Sequence, residues 1–454
     1  MVAVIKHAGR EPRVLSLLNF TKARRALAWR DGRPIDTAEF LADVAKVAAL
    51  LPPARSAVNL CVDRYAFLVA FCAVLTRGQT NLLPPSRAPQ AIEETLAANP
   101  GSYVLGECAP AAAMPRFVAL PLLGGEATDA QPAIAAEQVA AIGYTSGSTG
   151  QPKPNPKRWA SFRASTERNV AALGAAMRLG PDTVAHVVAT VPPQHMYGIE
   201  LSILLPLLGP FAVHGGQPLF PADVAAALAD LPEPRLLVTT PVHLRALLAD
   251  PVALPRLAAI ASATAPLDAA LAAAAEARYG APVLEMFGST ETCVIAQRRT
   301  ALETDWRLYD GLRLRPQPDG TLVEAPYFDQ PVALQDLVEL CPGGFRLCGR
   351  HADLIEIAGK RASLADLTRR LLALPGVRDA AVLQQETPDA IGVRRIAALV
   401  VAPERSEAEL LEALRAEVDP AFLPRPLRKV DALPRNETGK LPRAALLAVL
   451  RDQS

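Results

Sequence analysis

The chain has few cysteines and no pattern among them: Cys61, Cys72, Cys108, Cys293, Cys341 and Cys348 include no C-x-x-C pair and no dense framework. This argues against a disulfide scaffold and points to free thiols in a reducing compartment, so a cytoplasmic location is expected. An excess of one charge is also missing, with 47 Lys plus Arg against 46 Asp plus Glu. Without a basic balance, nucleic acid is excluded as the expected partner. Long apolar runs are lacking as well. The longest uncharged stretch, Leu201 to Ala222, is broken by Pro206, Pro210, Pro218 and His214-Gly215-Gly216, so no membrane span is expected. The opening MVAVIKHAGREPRV holds no apolar core of the kind a signal peptide needs. No fixed-period repeat is present. The 42 prolines accompany an Ala/Leu/Arg bias and carry no functional signal of their own.

What is present begins with length, since 454 residues suffice for two or three domains. From residue 24 onward, buried-strand patterns alternate with helix-period segments. SAVNLCV precedes YAFLVAFCAVLTRG, NLLP precedes PQAIEETLAANP, and RLLVTT precedes HLRALLAD. That rhythm is the mark of parallel α/β sheets flanked by helices. From Leu308 the texture changes to short strands punctuated by Gly and Pro, GLRLRPQ, GTLVEAP, LVEL and FRLCGR, which read as a small antiparallel patch. Strand–helix order restarts after Arg350 with its own apolar set, over about a hundred residues. The fold class expected is therefore mixed α/β. A large domain over 1–349 carries parallel sheets plus the antiparallel patch, and a small α+β domain spans 350–454.

The stretch Ile142–Lys157, IGYTSGSTGQPKPNPK, concentrates hydroxyls and unobstructed backbone N–H groups. Thr145, Ser146, Ser148 and Thr149 alternate with Gly147 and Gly150, and Lys153 comes next. Small residues let backbone curl round phosphate oxygens, hydroxyls donate further bonds and the lysine adds charge. A plain Gly/Ser turn between strands is the bland alternative. A second small polar turn, Phe287-Gly288-Ser289-Thr290-Glu291, ends another strand and offers an aromatic face, hydroxyls and a carboxylate. A carboxylate beside a phosphate loop needs a cation between them, so Glu291 reads either as a ligand to Mg²⁺ or as a cap on the segment after it.

With both turns placed, the chain resembles the adenylate-forming superfamily of acyl- and aryl-CoA synthetases, carrier-loading adenylation enzymes and luciferase-type enzymes. Tyr144–Lys153 resembles the phosphate loop, Pro193–Gly198 the P-x-x-H-x-x-G segment, and Phe287–Glu291 the Y/F-G-x-T-E motif. Gly320–Pro326 is similar to the G-E-L strand, Asp336 to the aspartate of T-G-D, Gly349-Arg350 to the G-R pair and Pro434–Lys440 to P-x-x-x-x-G-K.

The resemblance implies ATP-dependent activation of a carboxylic acid to an acyl-adenylate, followed by transfer to a thiol. By that implication Phe287 stacks on adenine, Asp336 accepts from the ribose hydroxyls with Arg350 beside it, and Thr145–Gly150 with Lys153 grip phosphate. Gly288 and Ser289 shape the nucleotide turn, Thr290 and Glu291 meet the α-phosphate and Mg²⁺, and Lys440 bridges the attacking carboxylate and the α-phosphate. His195, with Ser262, Ala263 and Thr264, faces the acid. The bulk of Ala263 and Thr264, where the family has Gly-Gly, favours an aryl or short-to-medium acyl substrate.

The resemblance also implies CoA, or the phosphopantetheine of a carrier protein acting in trans, as acceptor, and a monomer or homodimer. Three departures stand out: Pro154 replaces a glycine, Leu334-Gln335 precede Asp336 in place of Thr-Gly, and Ala352 occupies the acidic hinge position with Asp353 next to it. A nucleotide hydrolase of the Walker type would require G-x-x-x-x-G-K-[ST], which GSTGQPK does not supply. A non-catalytic homologue would tolerate loss of Glu291 or Lys440, and both are present.

Overall fold

In the computed structural model, residues 13–19, 24–85, 87–108, 116–146, 152–350, 354–357, 360–385, 394–415, 417–436 and 439–452 are described. The chain divides into two compact units, Met1–Glu303 and Thr304–Ser454.

Two mixed sheets build the first unit. One runs Pro152–Arg158, Val139–Ser146, Thr80–Leu83, Ser56–Asn59, Tyr103–Gly106, Phe117–Ala119, parallel except for its first pair. The other has parallel Ala259–Ser262, Arg235–Thr239, Ala185–Ala189 and Phe211–His214 at its centre. Antiparallel hairpins border it: Val283–Ser289 with Cys293–Arg298 on one side, and Ala26–Arg30 with Arg33–Asp36 on the other. The expected parallel α/β class is thus observed, with antiparallel strands added at the margins.

The helix Arg64–Thr76 packs on strands of both sheets. Its side chains are apolar on every face after Arg64, which is why it is buried all round. Asp63 caps its start by accepting the Ala66 N–H at 2.8 Å. Fully buried Arg64 would cost several kcal/mol if left unsatisfied. It donates instead to the carbonyls of Ala189 at 2.9 Å and Val191 at 2.8 Å and to the Ser202 hydroxyl. One guanidinium therefore fixes the carboxyl end of the Ala185–Ala189 strand and the chain that leaves it.

PKPNPKR carries little strand signal of its own, since proline cannot donate to a ladder. The structure nevertheless pairs Pro152–Arg158 with Val139–Ser146, placing Pro154 opposite Tyr144. The strand lies at the sheet's edge, and its prolines fall at 152, 154 and 156. Backbone groups alternate direction along a strand, so all three ring nitrogens face away from the neighbour while Lys153, Asn155 and Lys157 supply the paired N–H groups. The Pro-for-Gly departure at 154 is accommodated by this spacing.

In the second unit, Asp336–Cys341 pairs with Gly344–Arg350, and Arg313–Gln317, Gly320–Glu324 and Val332–Leu334 form a separate three-stranded sheet. Within this unit the patch and the C-terminal block are in contact. Trp306 stacks on Phe345 at 6.3 Å, their backbones exchange bonds of 2.8 and 3.0 Å, and the Leu364–Ala373 helix packs on Gly344–Arg350. The hinge candidates Ala352 and Asp353 lie outside the described residues.

Strands Asp379–Gln384, Ile396–Val401 and Leu427–Lys429 form the C-terminal sheet, whose period-2 alternation serves two cores. Ala380, Val382, Ile396, Ala398 and Val400 meet helices Leu364–Ala373 and Glu407–Arg415, while Ala381, Leu383, Ala397 and Leu399 meet helix Arg443–Asp452. Among the described residues no helix is long and apolar enough to cross a membrane.

Leu399 is fully buried in that second core. Leu399→Ala is expected to lower stability by about 2–5 kcal/mol, read by urea denaturation, with a loss below about 1 kcal/mol contradicting the two-core account.

Candidate active site

Three of the sequence motifs meet at Gly143, in the strand that leads into the phosphate loop. A Cβ added there would lie 2.9 Å from the Met196 methyl and 2.9 Å from the Thr290 methyl. The strand, the Pro193–Gly198 segment and the Phe287–Glu291 turn are therefore in mutual contact within the first unit. Gly147, Ser148, Thr149 and Gly150 lie outside the described residues, as do the side chains of Thr145 and Ser146. Lys153 is exposed and stands opposite Thr145 in the hairpin.

The Phe287–Glu291 turn is built to hold its shape. At Gly288 a Cβ would come within 2.1 Å of the Cys293 carbonyl oxygen, so no other residue fits the close return of the chain. The Ser289 hydroxyl accepts the Glu291 and Thr292 N–H groups, each at 3.2 Å, and the Thr292 hydroxyl accepts the Ser289 N–H at 3.2 Å. Phe287, Ser289, Thr290 and Glu291 are half-buried, and Gly288 is exposed. The Glu291 carbonyl accepts from the buried ammonium of Lys157, whereas its carboxylate takes no hydrogen bond from the described residues.

Among those residues no group of three or more His, Cys, Asp or Glu gathers as a cage. A single carboxylate such as that of Glu291 fits Mg²⁺, which is commonly held by one or two carboxylates plus substrate phosphates.

The Pro193–Gly198 segment is equally constrained. A Cβ at Gly198 would sit 2.0 Å from the Pro192 carbonyl oxygen, and the His195 carbonyl accepts the Ile199 N–H at 2.8 Å. His195 is half-buried and Tyr197 buried. Ser262 ends the Ala259–Ser262 strand in register with Thr239, whose hydroxyl lies 3.0 Å from that of Thr190. These buried hydroxyls line the carboxyl ends of adjacent parallel strands, where open α/β sheets bind ligands. Ala263 is next, buried, and then Thr264 at φ +80°. A β-branched residue in the left-handed region is strained, and such strain gathers at functional sites.

Sequence reasoning missed Glu200. It lies in the π-helical turn Ile199–Leu204 just after the histidine segment, with only 1% of its surface exposed. Its oxygens both accept the Val294 N–H at 3.0 Å, and Oε2 also accepts from the Ser165 hydroxyl at 3.0 Å and Asn169 Nδ2 at 3.2 Å. Burial pushes its carboxyl up to about 7, against the pull of those hydrogen bonds and of Lys157. The available signal was a single acid at the head of an otherwise apolar run.

Within the second unit, Asp336 and Arg350 are directly opposite one another across paired strands, which places the two expected ribose contacts side by side. The Arg350 side chain lies outside the described residues. Thr321 donates its hydroxyl to the Asp336 carbonyl at 2.6 Å. Lys440 is exposed at the end of a stapled turn. Asn436 Oδ1 accepts the Lys440 N–H at 2.9 Å, and Arg435 joins the Gly439 carbonyl at 2.7 Å to the Asp379 carboxylate at 2.7 and 3.0 Å.

This geometry has two testable outcomes. Gly143→Ala should push Met196 and Thr290 apart and lower the rate of the reaction at this site about 100-fold, read by steady-state assay, with wild-type kinetics refuting the crowding. For Glu200 the folded-state carboxyl stands above its unfolded value of 4.5. The proton it retains stabilises the fold fully below about pH 4.5, and that contribution is lost as pH rises through about 7. Denaturation from pH 4.5 to 8 should show wild type losing ground to Glu200→Gln, and parallel curves would refute the assignment.

A family model described as AMP-binding enzyme matches residues 70–317, and one described as AMP-binding enzyme C-terminal domain matches residues 369–440. The chain is 31% identical over 309 residues to a 4-coumarate–CoA ligase of Rhodobacter capsulatus, spanning 67% of this chain and 75% of that protein. It is 29% identical over 350 residues to a probable 2-succinylbenzoate–CoA ligase of Mycobacterium tuberculosis, spanning 68% and 84%. Its fold superposes on o-succinylbenzoate CoA synthetase of Bacillus subtilis, solved with its acyl-adenylate intermediate, with a TM-score of 0.76 at 19% identity over 92% and 94% of the two chains. The chain therefore belongs to the family of AMP-binding enzymes.

Proposed function

We propose that the protein joins a small carboxylic acid to the thiol of coenzyme A in two steps, using ATP and releasing pyrophosphate and AMP. The observation that carries this reading is the crossing at Gly143, where the phosphate-loop strand, the histidine segment and the Thr290–Glu291 turn share one point. Relatives that are CoA ligases for 4-coumarate and 2-succinylbenzoate support an aryl or short-to-medium acyl acid.

In the first step a carboxylate oxygen attacks the α-phosphorus and the bond to the β-phosphate oxygen breaks. Both partners are anionic, so catalysis is chiefly positioning and charge neutralisation. Phe287 holds the adenine face, Asp336 accepts the ribose hydroxyls with Arg350 alongside, and the Thr145–Gly150 loop and Lys153 grip the departing phosphates. Thr290 and Glu291 would hold Mg²⁺, which supplies neutralising charge to the phosphate oxygens. His195 orients the substrate carboxylate within the pocket that Ser262, Ala263 and Thr264 border. Lys440 bridges that carboxylate and the α-phosphate. In the second step the sulfur attacks the acyl carbon, AMP leaves and the thiol proton passes to solvent. Rotation of the block after residue 349 about Ala352 or Asp353 separates the steps, withdrawing Lys440 and presenting the Lys360-Arg361 hairpin.

Lys440→Ala is expected to cut ATP–pyrophosphate exchange by about 100-fold or more. Thioester formation from supplied acyl-adenylate should stay near wild type. Undiminished exchange in this variant would overturn the role of Lys440. Running the same thioester assay with CoA and with a phosphopantetheinylated carrier protein, over aryl, short-chain and fatty acids, decides the acceptor and the acid.

A further inference from the structure

We infer that Glu200 and Lys157 form a buried two-ended clamp that positions the Thr290–Glu291 turn for the adenylation step, which rests on Glu291 serving as the proposed Mg²⁺ ligand. The grips fall on either side of a two-residue segment. Lys157, the penultimate residue of the Pro152–Arg158 strand, donates its ammonium to the Glu291 carbonyl. Glu200 accepts the Val294 N–H with both oxygens at 3.0 Å. Between them lie Thr292 and Cys293, the latter in left-handed backbone at φ +63°. Neither charge is solvated, with Lys157 8% and Glu200 1% exposed.

Two features separate this clamp from ordinary core packing. Charge-bearing side chains in the interior are seldom a gain over well-packed apolar residues, so the retention of both Lys157 and Glu200 is poorly explained by stability alone. Its contacts also go to backbone, at the last residue of the turn and at Val294 three positions beyond it, which fixes the path by which the chain leaves the turn rather than a side-chain packing. Ser165 and Asn169 of the Trp159–Met177 helix hold Glu200 Oε2 from a second direction, so the carboxylate cannot swing away from Val294. The hairpin strand that starts beyond the phosphate loop thus carries, at its far end, the hook that sets the turn. Loop and turn are registered through covalently continuous backbone.

Purified Glu200→Gln and Lys157→Met are compared with wild type in ATP–pyrophosphate exchange titrated with Mg²⁺, in thioester formation from supplied acyl-adenylate, and in thermal melting. Exchange should fall about 10- to 100-fold, and the Mg²⁺ concentration for half-maximal exchange should rise several-fold. The thiol step should remain within about 2-fold of wild type, since the acyl-adenylate carries no departing pyrophosphate whose charge the proposed metal ligand has to neutralise. If Glu200→Gln does not fold, Lys157→Met, which leaves the acceptor of Val294 in place, gives the same readout. Wild-type exchange and Mg²⁺ dependence in the clamp variants would overturn the clamp. So would equal losses in both steps together with a lowered melting temperature, which would mark a merely structural pair. Glu291→Gln runs in parallel. An unaffected Glu291→Gln overturns the reading of that carboxylate, whereas an impaired Glu291→Gln beside normal clamp variants overturns the clamp alone.

Discussion

Steric exclusion at one α-carbon governs how the first unit comes together. Gly143 leaves no space for a methyl group between Met196 and Thr290, two residues separated by more than ninety positions in the chain. Close-packed interiors tolerate no such insertion without displacement, so contact at this point limits how closely the Val139–Ser146 strand, the Pro193–Gly198 segment and the Phe287–Glu291 turn approach one another. Other elements of the unit serve to keep those contacts in place. Arg64 fixes where the chain leaves the Ala185–Ala189 strand, Gly198 permits its tight return at Pro192, and Gly288 permits the return at Cys293.

The buried polar groups obey the same logic. A near-neutral chain with a large apolar interior still places Arg64 and the Glu200–Lys157 pair inside it. Each charge is met by backbone or hydroxyl partners, which is the condition under which buried charge is tolerated at all. Some of these bonds reach the neighbourhood of motif residues, at Val191 just before Pro193–Gly198 and at Glu291, while Ser165 and Asn169 tie Glu200 to the Trp159–Met177 helix. Part of the polar satisfaction of the core thus also holds motif-bearing segments in place.

Much of this was legible in the sequence. The Phe287–Glu291 turn depends on local backbone chemistry, so Gly and Ser at short spacing announced it, whereas the Pro193–Gly198 segment and Asp336 were picked out by the family resemblance. The strand–helix alternation likewise announced the parallel sheets. Glu200 was not legible, because its partners Ser165, Asn169 and Val294 lie tens of residues away and an isolated acid in an apolar run has no short-range signature. The Pro152–Arg158 strand was hidden for the opposite reason: proline signals the absence of a strand, and only a position at the margin of a sheet with every second residue proline reverses that. The stacking of Trp306 on Phe345 within the second unit joins residues some forty positions apart, a contact that periodicity does not register.

That proline-spaced strand has a consequence for how the protein meets other copies of itself. Its outward side offers carbonyl oxygens and no N–H from positions 152, 154 and 156, and a neighbouring strand needs donors as well as acceptors to add to a sheet. The Pro152–Arg158 edge is therefore a poor template for cross-chain pairing, and its proline spacing protects this margin of the sheet from edge-to-edge addition of a second copy.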